Sequence, residues 1–141
     1  MSLLRWVLLL LAGCLLAGCA SASAWAVLPD AAPSPAVVVT GDPARGEALF
    51  RVGVSGTPPC SACHQVTTGG AGFSLGPNLL NIAEQAGTRR AGVSARQYLE
   101  DSILRPRDFI VPGFRDMMYN GFADHLSAQE LADLIAYLLT L

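Results

Sequence analysis

Lysine is missing from this 141-residue chain: nine arginines face eleven acids, for a formal net charge of −2. Charged residues make up only 14% of the sequence, and the arginines form no stripe interleaved with aromatics. That excludes a nucleic-acid-binding surface, which needs clustered cations to neutralise phosphates. No segment alternates apolar with polar residues as a half-buried strand does, so no sheet is expected. Histidine occurs twice, too sparsely for a multi-histidine metal centre.

What is abundant is hydrophobic sequence. It reaches 52%, with a mean hydropathy of +0.42, high for a soluble domain. The cause is local. The opening "MSLLRWVLLLLAGCLLAGCA" has one cation, Arg5, then an apolar run, then small residues, which is the order of a secretory leader. "LAGC" occurs twice, at Leu11–Cys14 and Leu16–Cys19, and resembles the lipobox of bacterial lipoproteins, in which the cysteine becomes the lipidated first residue. Cleavage before Cys14 would leave a very short apolar region, so Cys19 is the better candidate and Cys14 the alternative. An uncleaved helix is the third reading, although Trp6–Ala20 falls short of the ~20 residues that a span prefers. Each places the rest of the chain outside the cytoplasmic membrane, anchored to its outer face. Loss of Arg5 with the leader takes the net charge from −2 to −3.

The expected organisation is a leader over 1–18, a tether over 19–40 and a domain over 41–141. The tether is rich in Ala, Ser and Pro and semi-extended through its prolines. In the domain, Asp42-Pro43 supplies an N-cap and a proline at the first helical position, with Gly46 and Phe50 on one face of the helix. Ser94 and Gln97 form a capping-box pattern ahead of "SARQYLEDSILR", which ends before Pro106. Ser127 and Glu130 repeat the pattern ahead of a helix striped with Leu131, Leu134, Ile135, Leu138 and Leu139. A short helical turn is expected around Leu79–Gln85. The domain is therefore all-α, with three main helices and two long irregular connections, Val52–Leu75 and Pro106–Leu126. Loops of that length in a small domain are usually functional, and so few helices cannot enclose a core by themselves. Something else must fill the middle.

"CSACH", Cys60–His64, indicates what. Cys60 and Cys63 stand three apart, on one face of a helical turn, with His64 directly after them. Two thiols beside an axial imidazole are what a covalently attached haem requires, and C-x-x-C-H is its attachment signature. A zinc site would need two more ligands where only His125 remains. A redox disulfide of thioredoxin type would need a βαβ setting.

From about Asp42 to Leu141 the chain resembles the class I c-type cytochromes. The resemblance implies a single haem c, joined at Cys60 and Cys63 and ligated by His64, with the three main helices wrapped round it. "GPNL", Gly76–Leu79, resembles the loop whose proline carbonyl accepts a hydrogen bond from the ligating histidine, which gives that role to Pro77. Gly46 with Phe50, and Leu134 with Tyr137, resemble the pairs where first and last helices cross. Tyr98 resembles the tyrosine near the distal side of the iron, and core packing is its alternative.

For the sixth ligand the family's usual methionine points to "VPGFRDMMYNGFADHLS". Met118, four residues before Phe122, is favoured over Met117. Here the sequence departs from the family: Tyr119 stands where a proline commonly follows the ligand. His125 is expected to be solvent-exposed. Arg89 and Arg90 stand as haem-propionate partners or as a solvated charged turn. "TTGGAG", Thr67–Gly72, lacks the lysine and the strand–helix setting of a phosphate cradle.

The implied function is not enzymatic. It is a membrane-tethered carrier passing single electrons between the redox proteins of respiratory or photosynthetic chains. The alternatives are a fixed haem c subunit of a larger quinol-oxidising assembly, similar to alternative complex III, or a peroxidase-like or gas-sensing protein with a labile sixth ligand. No acid–base constellation supports the last of these.

Overall fold

The computed structural model describes residues 39–69 and 74–141, within a unit spanning Val37–Leu141. The leader, Cys14, Cys19, nearly all of the tether and the centre of the Gly-rich loop lie outside the described residues. Among those described there are only helices and turns: α1 (Pro43–Val52), a 3₁₀ turn (Cys60–Ala62), α2 (Ile82–Arg89), α3 (Ala95–Leu104), α4 (Phe122–His125) and α5 (Ala128–Leu138). None of these helices is long and apolar enough to cross a membrane.

The start of α1 follows from Asp42, whose carboxylate accepts the amides of Ala44 and Arg45, and from Pro43, which has no amide to satisfy. At α5 both halves of the capping box form: Glu130 N donates to Ser127 Oγ, and Ser127 N donates to Glu130 Oε2. The Ser127 amide, with the Ser127 hydroxyl beside it, holds the Glu130 carboxyl below its usual pKa. At α3 only half of the expected box exists. Ser94 Oγ accepts from Gln97 N, but the Gln97 side chain turns forward to Asp101 instead of back to the cap.

α1 and α5 make the largest helix–helix contact of the domain. Gly46 permits it: a Cβ there would lie 1.9 Å from the carbonyl oxygen of Asp133. Phe50 and Tyr137 close the crossing with ring centroids 5.5 Å apart, within the range of favourable aromatic pairs. Asp133 itself is 2% exposed, a buried carboxylate inside the apolar stripe. Its Oδ1 accepts from the Asp42 amide at 2.7 Å and from Gln129 at 2.8 Å, and its Oδ2 pairs with Arg45 at 3.1 Å. Burial alone would raise this carboxyl's pKa. The two hydrogen bonds and the Arg45 charge outweigh it and leave the pKa depressed.

α2 differs from expectation. It begins at Ile82, three residues later than the turn proposed from sequence, and continues to Arg89. Its N-cap, Asn81, sits in the left-handed region at φ 59° and makes no side-chain cap bond, so the usual start signal is missing. α4 was read as irregular. A four-residue helix starting after a glycine has no cap to announce it.

Candidate functional site

All five helices turn a side chain into one cleft: Phe50 from α1, Ile82 from α2, Tyr98 from α3, Phe122 from α4, and Leu134 and Leu138 from α5. The rest of the wall comes from the irregular stretches carrying Leu75–Leu79 and Pro106–Met118. Counted out to its mouth, open solvent included, the cleft has an empty volume of about 1070 Å³, and its lining is overwhelmingly apolar.

Cys60, Cys63 and His64 all line this cleft. The 3₁₀ turn explains how. Three residues per turn bring side chains at i and i+3 to one face, and both Cys60 and Cys63, its C-cap, line the cleft. The turn is closed by Cys63 N and His64 N, which both donate to the Cys60 carbonyl at 3.1 and 2.9 Å. Both thiols are free, and burial pushes the Cys60 thiol up to about 11.

His64 Nδ1 lies 2.9 Å from the Pro77 carbonyl oxygen. A carbonyl only accepts, so Nδ1 carries the proton and Nε2 keeps its lone pair for a metal. Burial lowers the His64 pKa, which favours the neutral imidazole that ligation requires, while the Pro77 bond opposes that shift. Gly76 completes the cradle: a Cβ there would sit 2.4 Å from His64 Cε1. The backbone of residue 76 therefore lies directly against the ring.

Sequence reasoning missed what ties these segments together. The Ser74 hydroxyl lies 2.8 Å from the Cys63 carbonyl and 2.7 Å from that of Gly76. Gly76 N donates to Cys63 O, Leu79 N to Gln65 O, and Asn78 Nδ2 to Thr67 O. Single serines and asparagines in loops carry no periodic signal, so only the fold reveals this seam.

Met117 and Met118 both border the cleft and differ in exposure. Met117 is 50% exposed, whereas Met118 is half-buried and packs against the core. On its N-terminal side their segment is held by an Arg107–Asp116 ion pair at 3.3 Å. Both partners are well exposed, so that pair contributes about 0–1 kcal/mol. On its C-terminal side Tyr119 meets Phe122 edge-to-face, with centroids 5.1 Å apart. Such a pair adds about 0.5–1.5 kcal/mol beyond burial, so the aromatic side is the firmer attachment.

Tyr98 does two things at once. It is buried against Phe109, edge-on at 5.9 Å, and it also lines the cleft. Arg89 donates to the Tyr98 hydroxyl and to Gln85 Oε1, and Arg90 pairs with Asp101. Neither arginine lines the cleft; Arg89 ends α2, and both side chains are also engaged within the domain. The cation that does border the cleft is Arg115, which sequence reasoning passed over. His125 is exposed and lies away from the cleft lining, as expected.

Two thiols, an imidazole with its Nε2 lone pair free, thioether sulfur and an apolar slot form a donor set suited to haem c. The family model described as cytochrome c matches residues 43–141, the whole domain from the first residue of α1. The chain belongs to the cytochrome c family. The fold is accordingly that of class I cytochrome c, and its cofactor is one covalent haem c, the amount that a single domain of this size accommodates. Cytochromes c of this family are generally electron carriers rather than enzymes. Among curated proteins, no sequence matches the chain.

Proposed function

We propose that this protein is a membrane-tethered monohaem cytochrome c that carries single electrons between redox proteins on the outer face of the cytoplasmic membrane. The reading rests on one observation above all: Cys60, Cys63 and His64 share the wall of a cleft that Met118 also lines, with His64 Nδ1 bonded to the Pro77 carbonyl. Cys60 and Cys63 would hold the haem as thioethers, and His64 and Met118 would ligate its iron. Bound haem supplies a one-electron iron couple. The protein's part would be to keep the His64 and Met118 side chains in place in either oxidation state, to exclude water with the apolar lining, and to raise the potential through thioether ligation. Pro77 fixes the imidazole tautomer, and Tyr98 walls the cleft. Cys19 carries the lipid, and residues 19–40 let the domain swing between partners on a proline-rich tether.

Two changes test the two halves of this reading. In cells that mature haem c, Cys19→Ser releases the domain from membranes or blocks its processing. A Cys19→Ser protein processed and anchored as before would rule out the lipid anchor. Met118→Ala lowers the midpoint potential sharply while Met117→Ala does not, and the reverse pattern would make Met117 the ligand.

A further inference from the structure

Tyr119 follows Met118 directly, and its ring is fixed on several sides. It stands edge-on to Phe122 at 5.1 Å and tilted against the His125 ring at 6.3 Å. It also folds back over its own chain: a Cβ on Gly121 would lie 2.5 Å from the Tyr119 hydroxyl oxygen and 2.6 Å from Cζ. The His125 ring in turn rests on the loop that leads into the Cys60 turn, since a Cβ on Gly56 would come within 3.1 Å of His125 Cε1. Residue 119 is thereby keyed to both ends of α4 and, through His125, to the segment that precedes Cys60.

We propose that Tyr119 is a positioning residue for the sixth ligand, its ring acting as the clamp that keeps the Met118 sulfur at the haem iron. The proposal rests on Met118 being that ligand. The contact on the segment's other side, the Arg107–Asp116 pair, is exposed to solvent and holds it less firmly. The ring does the clamping and not the hydroxyl: no hydrogen bond joins the Tyr119 hydroxyl to any described residue, and its neighbours are aromatic faces and edges.

The test uses the haem-loaded protein. It reads the weak red iron–sulfur charge-transfer band of the oxidised form and the affinity for added imidazole, which competes for the site whenever Met118 leaves it. Apparent affinity follows the fraction of molecules with the site open, so a tenfold rise in that fraction tightens imidazole binding about tenfold. Tyr119→Leu keeps the bulk and loses the ring; it should weaken the band and tighten imidazole binding by about that factor. Gly121→Ala leaves Tyr119 intact but pushes its ring aside, and should do the same. Tyr119→Phe should behave as the unaltered protein. Ser127→Ala, which loosens the α5 cap at a residue outside the cleft lining, should lower the melting temperature without tightening imidazole binding.

If Met118→Ala abolishes the band while Tyr119→Leu and Gly121→Ala leave band and affinity unchanged, the clamp is wrong and the ligand stands. If Ser127→Ala tightens imidazole as much as Tyr119→Leu does, the effect is general loosening and the clamp is again wrong. If Met118→Ala keeps the band, the ligand assignment fails first.

Discussion

The α1–α5 crossing and the cleft beside it are built by different means. At the crossing, two capped helices meet through Gly46, an aromatic pair and one satisfied buried carboxylate, and each contact joins regular elements. At the cleft, much of the wall is irregular chain, stitched by hydrogen bonds from isolated residues such as Ser74, Asn78 and the Pro77 carbonyl. The crossing secures the fold and the loops place the chemistry. Damage to the first should therefore appear as lost stability, and damage to the second as altered spectrum and potential.

The largest expected effect is at the crossing. Gly46→Ala gains helix propensity, worth about 1 kcal/mol, but its Cβ would overlap the Asp133 carbonyl, which is rigid backbone. Overpacking of this kind costs about 3 kcal/mol, so the change is destabilising on balance. The melting temperature should fall by about 10 °C, while the low-temperature spectrum of the surviving protein stays unchanged. A shifted spectrum with an unshifted melting curve would erase the distinction between the two regions.

Next comes Asp133. Its folded pKa is depressed, so its contribution is present above the unfolded value of about 4 and is lost as pH falls through the folded value. Asp133→Asn should lower stability at pH 7 by about 1.5 kcal/mol and flatten the stability curve on the acid side. Urea melts at pH 7 and pH 3 would show it. An equally steep acid limb in the variant would place the acid sensitivity elsewhere.

Ser74→Ala should have the smallest effect on stability, about 1 kcal/mol for one lost hydrogen bond. It removes the bridge between Cys63 and the Gly76 backbone that lies against His64. The midpoint potential should move even so, which sharpens the contrast with Gly46→Ala. A potential equal to that of the unaltered protein would show that the seam is only structural.

The same division explains what could be read from sequence. Asp42-Pro43 and Ser127 with Glu130 are local signals with local causes, and each appears in the fold in its expected role. The Gly46–Phe50 pair, whose partners lie on α5, was legible through the family resemblance. The cysteine spacing and the adjacent histidine were equally legible because one short turn holds all three. Asp133 was not, because two of the partners that satisfy this buried acid, Asp42 and Arg45, lie about ninety positions away in the chain. The Ser74 bridge and the Arg115 placement were hidden because single residues in irregular loops carry no periodic signal. α2 was legible only as a short turn around Leu79–Gln85, and its bounds were not, because its cap residue is left-handed and its side chain makes no cap bond.

The most direct measurement is the absorption spectrum of the exported domain matured with haem, oxidised and reduced, with and without carbon monoxide. The account predicts covalently retained haem c, a weak red charge-transfer band when oxidised, and indifference to carbon monoxide when reduced. Ready binding of carbon monoxide by the reduced protein would contradict it, since an iron closed by His64 and Met118 has no open position.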